Sequence, residues 1–495
     1  MNDDIITGIM ATAGREPGRT AIIDGRGREI AYGELARRVD AVRGAMTGLR
    51  PGDGVLFAVR PGVDAVALAL GAVAAGGTLV LADPGLAPEV LAARMAATRP
   101  RWVVAESLLY TLSGPLKGLA RRRGLLLPSL RDPLPGHPVR HLHTGPWLPG
   151  VPRGALRLSR ILRTPGADAP DAAAPTADQP AAVIFTSGTT ARPRGVVHTR
   201  GSLAAGLTLF RSAFPLGPGD VVHTDQLMLG LPALLAGATW SLPGGGDLAG
   251  ELAARGATHA FAVPVHLDRL LRRAPELPAT LRYLLLGAAP APPAVLRRAI
   301  ESGPEVLSVY AMTEALPIAI ASAREKLAQS EGDLLGAPLP GVGVRIADDG
   351  ELFVSGPHLA RRYLGEDPLE EIATGDLVRV EDGRLVLLGR KKDMILRDGV
   401  NIYPGLYEPA VAALPGVAEA AIVGLADPET GDEEVVLAVI PADGYDGSRL
   451  RKALPAIMDA AALPDRVEPL DAFPRSGRAD KLDRAALRDL VTRRG

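Results

Sequence analysis

Leu35, Val39, Val42, Met46 and Leu49 recur at helical spacing, which predicts an amphipathic helix over residues 32–49. The turn signal Pro51-Gly52-Asp53-Gly54 follows and leads into an apolar run at 55–59, read as a buried strand. Residues 65–82 form the longest apolar stretch, and its length touches that of a membrane span. Gly71, Gly76 and Gly77 interrupt it, and Thr78-Leu79-Val80-Leu81 has strand character, so a buried helix and then a buried strand are expected. Further strands are predicted at 181–185, 351–354, 384–388 and 420–424. Repeated helix–strand alternation argues an α/β fold with largely parallel sheets, followed by a strand-rich stretch at 346–390 and a smaller α/β unit at the end. Residues 144–180 are rich in Pro, Ala, Asp and Gly, and 164–180 read as a flexible loop. No internal repeat is visible.

Bulk composition narrows the picture by exclusion. A chain of 495 residues predicts two to four domains. Its net charge of −1 gives no support to nucleic acid or an anionic membrane as partner. With no cysteine, disulfides, thiolate metal sites and a cysteine nucleophile are excluded, and a reducing compartment fits. The acidic start Met1-Asn2-Asp3-Asp4 lacks the basic-then-apolar pattern of a secretory leader. A cytoplasmic protein without a membrane span is expected.

The predicted strand at 181–185 empties into Thr186-Ser187-Gly188-Thr189-Thr190, followed by Ala191-Arg192-Pro193-Arg194-Gly195-Val196. Hydroxyls and backbone N–H groups in such a loop suit a polyanion. It is not a Walker loop, which ends in Gly-Lys-Ser/Thr. Downstream, Leu284-Leu285-Leu286-Gly287-Ala288-Ala289-Pro290 precedes Val309-Tyr310-Ala311-Met312-Thr313-Glu314, whose glutamate is a hard oxygen donor. In Thr374-Gly375-Asp376, an aspartate fixed on a tight turn suits the two hydroxyls of a ribose. Two further motifs follow. One is Gly389-Arg390-Lys391-Lys392-Asp393 running to Gly399-Val400-Asn401-Ile402-Tyr403-Pro404. The other is Pro474-Arg475-Ser476-Gly477-Arg478-Ala479-Asp480-Lys481-Leu482-Asp483-Arg484.

In this order, over most of residues 25–490, these motifs resemble those of the acyl-adenylate-forming enzymes: acyl-CoA synthetases, peptide-synthetase adenylation domains and luciferase-type ligases. The resemblance implies a large N-terminal domain over 1–391, made of stacked α/β sheets plus a strand-rich subdomain. It also implies a small mobile C-terminal α/β domain over 392–495. ATP, Mg²⁺ and either CoA or a phosphopantetheine thiol are implied. Thr186, Ser187, Gly188, Thr189, Thr190 and Arg194 would hold phosphates, and Thr186 and Glu314 the metal. Gly287, Ala288, Ala289, Tyr310 and Thr313 would flank adenine, Asp376 would take the ribose, and Arg390 ribose or phosphate. Lys392 would be the hinge, Gly399 would line the thiol tunnel, and Lys481 would bridge carboxylate and α-phosphate. Ala191 and Ala311 stand where the family has glycine, Arg194 where it has lysine, and Asp480 where it has glycine.

The resemblance implies ATP-dependent activation of a carboxylic acid to an acyl-adenylate, then transfer to a thiol, with CoA as acceptor. The segment from Val221 to Gly237 lies where the family builds its acyl pocket. Its Leu227, Met228 and Leu229 suit an apolar acid or the core, and no aspartate offers itself to an α-ammonium. An apolar acyl or aryl acid is therefore expected. One alternative loads a carrier protein in trans or passes the adenylate to another nucleophile. Another is a family member that has lost catalysis and acts as a binding partner, a reading that the four departures feed.

Overall fold

A computed structural model of the chain describes residues 4–81, 88–122, 127, 129–163, 176–185, 194–287, 291–329, 331–397, 400–426, 433–476 and 480–494. Two compact units divide it. One comprises Met1–His259, Thr313–Leu316 and Gly356–Glu370, the other the remaining segments.

In the first unit the strands Gly54–Ala58, Thr78–Leu81, Trp102–Glu106, Arg140–Thr144, Leu156–Arg157 and Pro180–Phe185 run parallel. Gly54–Ala58 is buried at every position, as expected of a strand covered on both faces. Gly195–Thr199 turns back antiparallel to Pro180–Phe185, and Arg362–Tyr363 adds antiparallel to it at the edge. The apolar stretch at 65–82 resolves into the helix Val63–Ala74, buried at ten positions, and the strand Thr78–Leu81. Among the described residues no helix is long and apolar enough to cross a membrane. The helix predicted at 32–49 spans Tyr32–Ala45, and Met46, which caps it, remains in the core. Outside this sheet, Val221–His223, Thr239–Ser241 and Thr20–Ile23 pair in parallel.

In the second unit the strand-rich stretch expected at 346–390 is antiparallel. Tyr283–Leu286 and Glu305–Met312 pair in parallel. Asp333–Pro338, Arg384–Arg390, Glu371–Glu381, Glu351–Ser355 and Gly343–Ile346 then form an antiparallel meander. Short connections leave no room for crossover helices, so antiparallel pairing is the result. At the chain's end Val417–Ala426, Glu433–Pro441 and Arg466–Pro469 form a three-stranded sheet. Alternation splits its side chains between two cores: Ile422, Leu437 and Val439 on one face, Ala421, Val423 and Val436 with Leu487 and Val491 on the other.

Candidate active site

In the second unit the polar cluster is built on Asp376. This residue lies within the long strand Glu371–Glu381, opposite Arg390 of the neighbouring strand. The expected tight turn is therefore corrected to a bulge: pairing slips on both sides of Asp376, and Gly375 takes φ +72°. Only a residue tolerant of left-handed backbone allows the bulge, which re-aims Asp376 without ending the strand. Thr374 locks it, its hydroxyl accepting from the Asp376 N–H at 3.0 Å and donating to the Leu352 carbonyl at 2.9 Å.

Asp376 is 3 % exposed, and a carboxylate so placed needs partners. The Tyr310 hydroxyl donates to Oδ2 at 2.7 Å and Arg390 Nε to Oδ1 at 2.8 Å. Burial, and then the Asp376 charge, push the Tyr310 phenol well above its usual range, so it stays a donor. Arg390 is half exposed and lines a surface hollow with Thr374, Gly375, Lys391 and Lys392. Lys392 itself sits exposed in the single 3-10 turn Lys391–Asp393. Lys391 next to it is engaged by Asp349 at 2.6 Å and Glu351 at 2.7 Å.

Lys481 belongs electrostatically to this cluster. It lies on the short strand Lys481–Leu482, paired with Arg475–Ser476, and its side chain is exposed. Partial desolvation of the ammonium, then the charges of Arg390 and Lys392, hold it below the usual lysine range, against the pull of Asp376. The preceding Asp480 adopts φ +51°. It thus keeps the left-handed conformation that a glycine would supply, which aspartate tolerates.

In the first unit the cluster centres on Glu314. Thr313 and Glu314 form a turn, and the Glu314 carboxylate is 7 % exposed. The Tyr363 hydroxyl donates to Glu314 Oε1 at 2.8 Å. On the other side, the Arg194 guanidinium stacks over the Tyr363 ring, 3.7 Å from its centroid, and lies 3.5 Å from Glu366. The Thr313 carbonyl lies 2.7 Å from His198 Nε2. Burial and the hydrogen bond to Glu314 push the Tyr363 phenol upward, so it too stays a donor.

Thr186, Ser187, Gly188, Thr189, Thr190, Ala191, Ala288, Ala289 and Gly399 lie outside the described residues. Gly287 follows the strand Tyr283–Leu286, so close to Phe261 that a Cβ would stand 3.1 Å from the ring. Ala311 lies in the regular strand Glu305–Met312 and has no positive φ, so this backbone has no need of glycine there. Sequence reading missed Tyr363 and Glu366. Each is an ordinary residue locally and gains its meaning only from a distant partner.

The donor sets suit a nucleotide and its cation. A carboxylate offers about four lone-pair sites. Two on Asp376 are taken by Tyr310 and Arg390, leaving one on each oxygen for a diol. Glu314 has one oxygen bonded by Tyr363 and none on the other among the described residues. No cluster of three or more His, Asp or Glu forms among the described residues. A cation that arrives on phosphate oxygens needs few protein ligands.

The family model for AMP-binding enzymes matches residues 9–364, and that for the AMP-binding enzyme C-terminal domain matches residues 407–479. The chain belongs to the AMP-binding enzyme family. It is an ATP-dependent, AMP-forming ligase that activates a carboxylic acid for a thiol. A feruloyl-CoA synthase of Amycolatopsis is 31% identical over 364 residues, covering 65% of this chain and 74% of the relative. The amide bond synthetase McbA of Marinactinospora thermotolerans superposes with a TM-score of 0.77 at 26% identity, over 98% of this chain and 99% of that one. The o-succinylbenzoate CoA synthetase MenE of Bacillus subtilis, complexed with its acyl-adenylate, also gives 0.77, over 97% and 98% of the two chains. At 21% identity this last likeness is one of fold.

Proposed function

We propose that the protein joins an apolar acyl or aryl acid to CoA by way of an acyl-adenylate. The observation that carries this reading is Asp376 held between the Tyr310 hydroxyl and Arg390. In the first half-reaction the acid's carboxylate attacks the α-phosphorus of ATP, the bond to the β-phosphate bridge breaks, and pyrophosphate leaves. Such a transfer asks for positioning and charge stabilisation rather than covalent catalysis. Asp376 takes the ribose diol and Arg390 the ribose or α-phosphate. Residues 186–190 and Arg194 hold the leaving phosphates. Gly287 to Ala289, Tyr310 and Thr313 enclose the adenine. Lys481 orients the carboxylate and offsets the charge gained at the α-phosphate. Glu314 and Thr186 would hold Mg²⁺, which would supply Lewis-acid stabilisation of the phosphate oxygens.

In the second half-reaction a small domain over 392–495 swings about Lys392, withdraws Lys481 and admits the pantetheine thiol past Gly399. The thiol attacks the acyl carbon and AMP leaves. This reading places the enzyme in the cytoplasm, where ATP and CoA are available.

The likeness to an amide bond synthetase favours a second reading, in which an amine takes the acyl group from the adenylate. Incubating the protein with ATP, candidate acids and either CoA, a holo carrier protein or simple amines, followed by product mass, decides between them. A CoA thioester is expected. Amide or carrier-bound product without CoA thioester overturns the CoA assignment.

A further inference from the structure

We infer that Tyr363 is a positioning residue that sets the Glu314 carboxylate and the Arg194 guanidinium together, and that arginine in place of lysine at 194 is part of this device. The inference rests on the ATP-site reading above.

Tyr363 uses both of its chemical faces. Its hydroxyl donates to Glu314 Oε1 at 2.8 Å, and its ring carries the Arg194 guanidinium at 3.7 Å. Backbone contacts tie the same segment to both ends. Tyr363 pairs with Val196 and Arg362 with Val197, and the Leu364 N–H donates to the Gly195 carbonyl at 2.7 Å. The Ala360 N–H donates to the Glu314 carbonyl, also at 2.7 Å. The short segment 360–364 therefore fixes both Gly195, at the foot of the phosphate loop, and Glu314, which lie far apart in sequence. Glu366 engages the guanidinium as well, at 3.5 Å.

The chemistry explains the residue type. A guanidinium is planar and lies flat on an aromatic ring while its edge N–H groups face an anion, whereas an ammonium is a compact point charge on a flexible stem. Arg194 is thus held by the ring on one face and by a carboxylate beside it, with further N–H groups left for phosphate. A carboxylate that accepts a fixed hydrogen bond on one oxygen presents the other in a defined direction to a cation, as partners of metal-binding carboxylates do.

Two direct binding measurements on the full-length protein test this: Mn²⁺ affinity of the protein–ATP complex, from free Mn²⁺ by electron paramagnetic resonance, and metal-free ATP affinity by calorimetry. Tyr363→Phe keeps the ring and loses the hydroxyl. It is expected to weaken Mn²⁺ about tenfold and to leave metal-free ATP binding unchanged. Arg194→Lys is expected to weaken ATP about threefold beside Tyr363, and to have no such effect in a Tyr363→Leu background. Wild-type Mn²⁺ affinity in Tyr363→Phe, or an equal loss from Arg194→Lys in both backgrounds, overturns the inference. If Tyr363→Leu does not fold, Tyr363→Phe alone decides. A wild-type protein that binds ATP and Mn²⁺ but forms no acyl-adenylate sinks the functional reading and leaves these binding differences to be read. A wild-type protein that binds no ATP overturns both.

Discussion

The Tyr310 hydroxyl donates to Asp376 Oδ2 at 2.7 Å, joining the strand that carries the start of the glutamate motif to a bulge in the antiparallel meander. Arg390 secures the other oxygen. Asp376→Asn removes the charge that both donors satisfy. The expected outcome is a rise in KM for ATP of about ten- to a hundredfold, the worth of hydrogen bonds to a charged group. Tyr310→Phe has a smaller effect of the same kind. Steady-state kinetics with ATP varied check both.

Lys481 is expected to act as an ammonium. Its pKa is held below the usual lysine range by partial desolvation and by Arg390 and Lys392. As pH rises the proton is lost earlier than from an ordinary lysine, and adenylation falls with it. The alkaline limb of the adenylation rate therefore lies below the normal lysine range. Lys481→Ala removes the activity, while Lys481→Arg retains a residue of it whose alkaline limb moves upward, because a guanidinium does not titrate there. Identical pH profiles for the wild type and the arginine variant would assign the limb to another group.

Acid sensitivity of stability is expected from His358. It is 1 % exposed, neither ring nitrogen has a hydrogen-bond partner among the described residues, and burial lowers its pKa to about 4. The unfolded ring titrates near 6.5. Below that pH the unfolded chain binds a proton that the folded chain refuses. The stability is thus complete above about pH 6.5 and is lost progressively toward pH 4, by up to ~3 kcal/mol. His358→Leu should flatten the fall in urea midpoint between about pH 7 and pH 5. An unchanged slope contradicts the assignment.

The terminal helix depends on Arg484. Its guanidinium donates to Glu408 Oε1 at 2.8 Å and Oε2 at 2.7 Å, and to the Ile422 carbonyl at 2.9 Å, with Asp393 at 3.5 Å. Arg484→Ala leaves Glu408 partly buried without its cation and is expected to cost about 2–4 kcal/mol. Limited proteolysis near the chain's end, compared with wild type, reports it.

Much of this was legible in the sequence because the motifs are local. Strand runs at 181–185 and 384–388 are short and apolar, and they fold as strands bounded within a few residues of those limits. Arg390, Asp376, Glu314 and Lys481 declare themselves by order and spacing. What was not legible depends on pairing between distant segments. Nothing near Asp376 says that Gly375 makes a bulge rather than a turn; that follows from the register of two neighbouring strands. Tyr363 is an aromatic residue after two arginines until strand pairing carries it to Gly195–Thr199. Two of the departures from the family pattern also look different in three dimensions. Asp480 keeps the left-handed backbone, and Ala311 lies where a Cβ is allowed.

The most direct test of the central claim is acid-dependent exchange of labelled pyrophosphate into ATP, measured over a panel of apolar acyl and aryl acids. The wild type is expected to exchange label with at least one of them, Lys481→Ala is expected to lose that exchange, and Asp376→Asn to need more ATP for it. Folded wild-type protein that binds ATP yet supports no exchange with any acid, or a Lys481→Ala variant that exchanges at the wild-type rate, would contradict it.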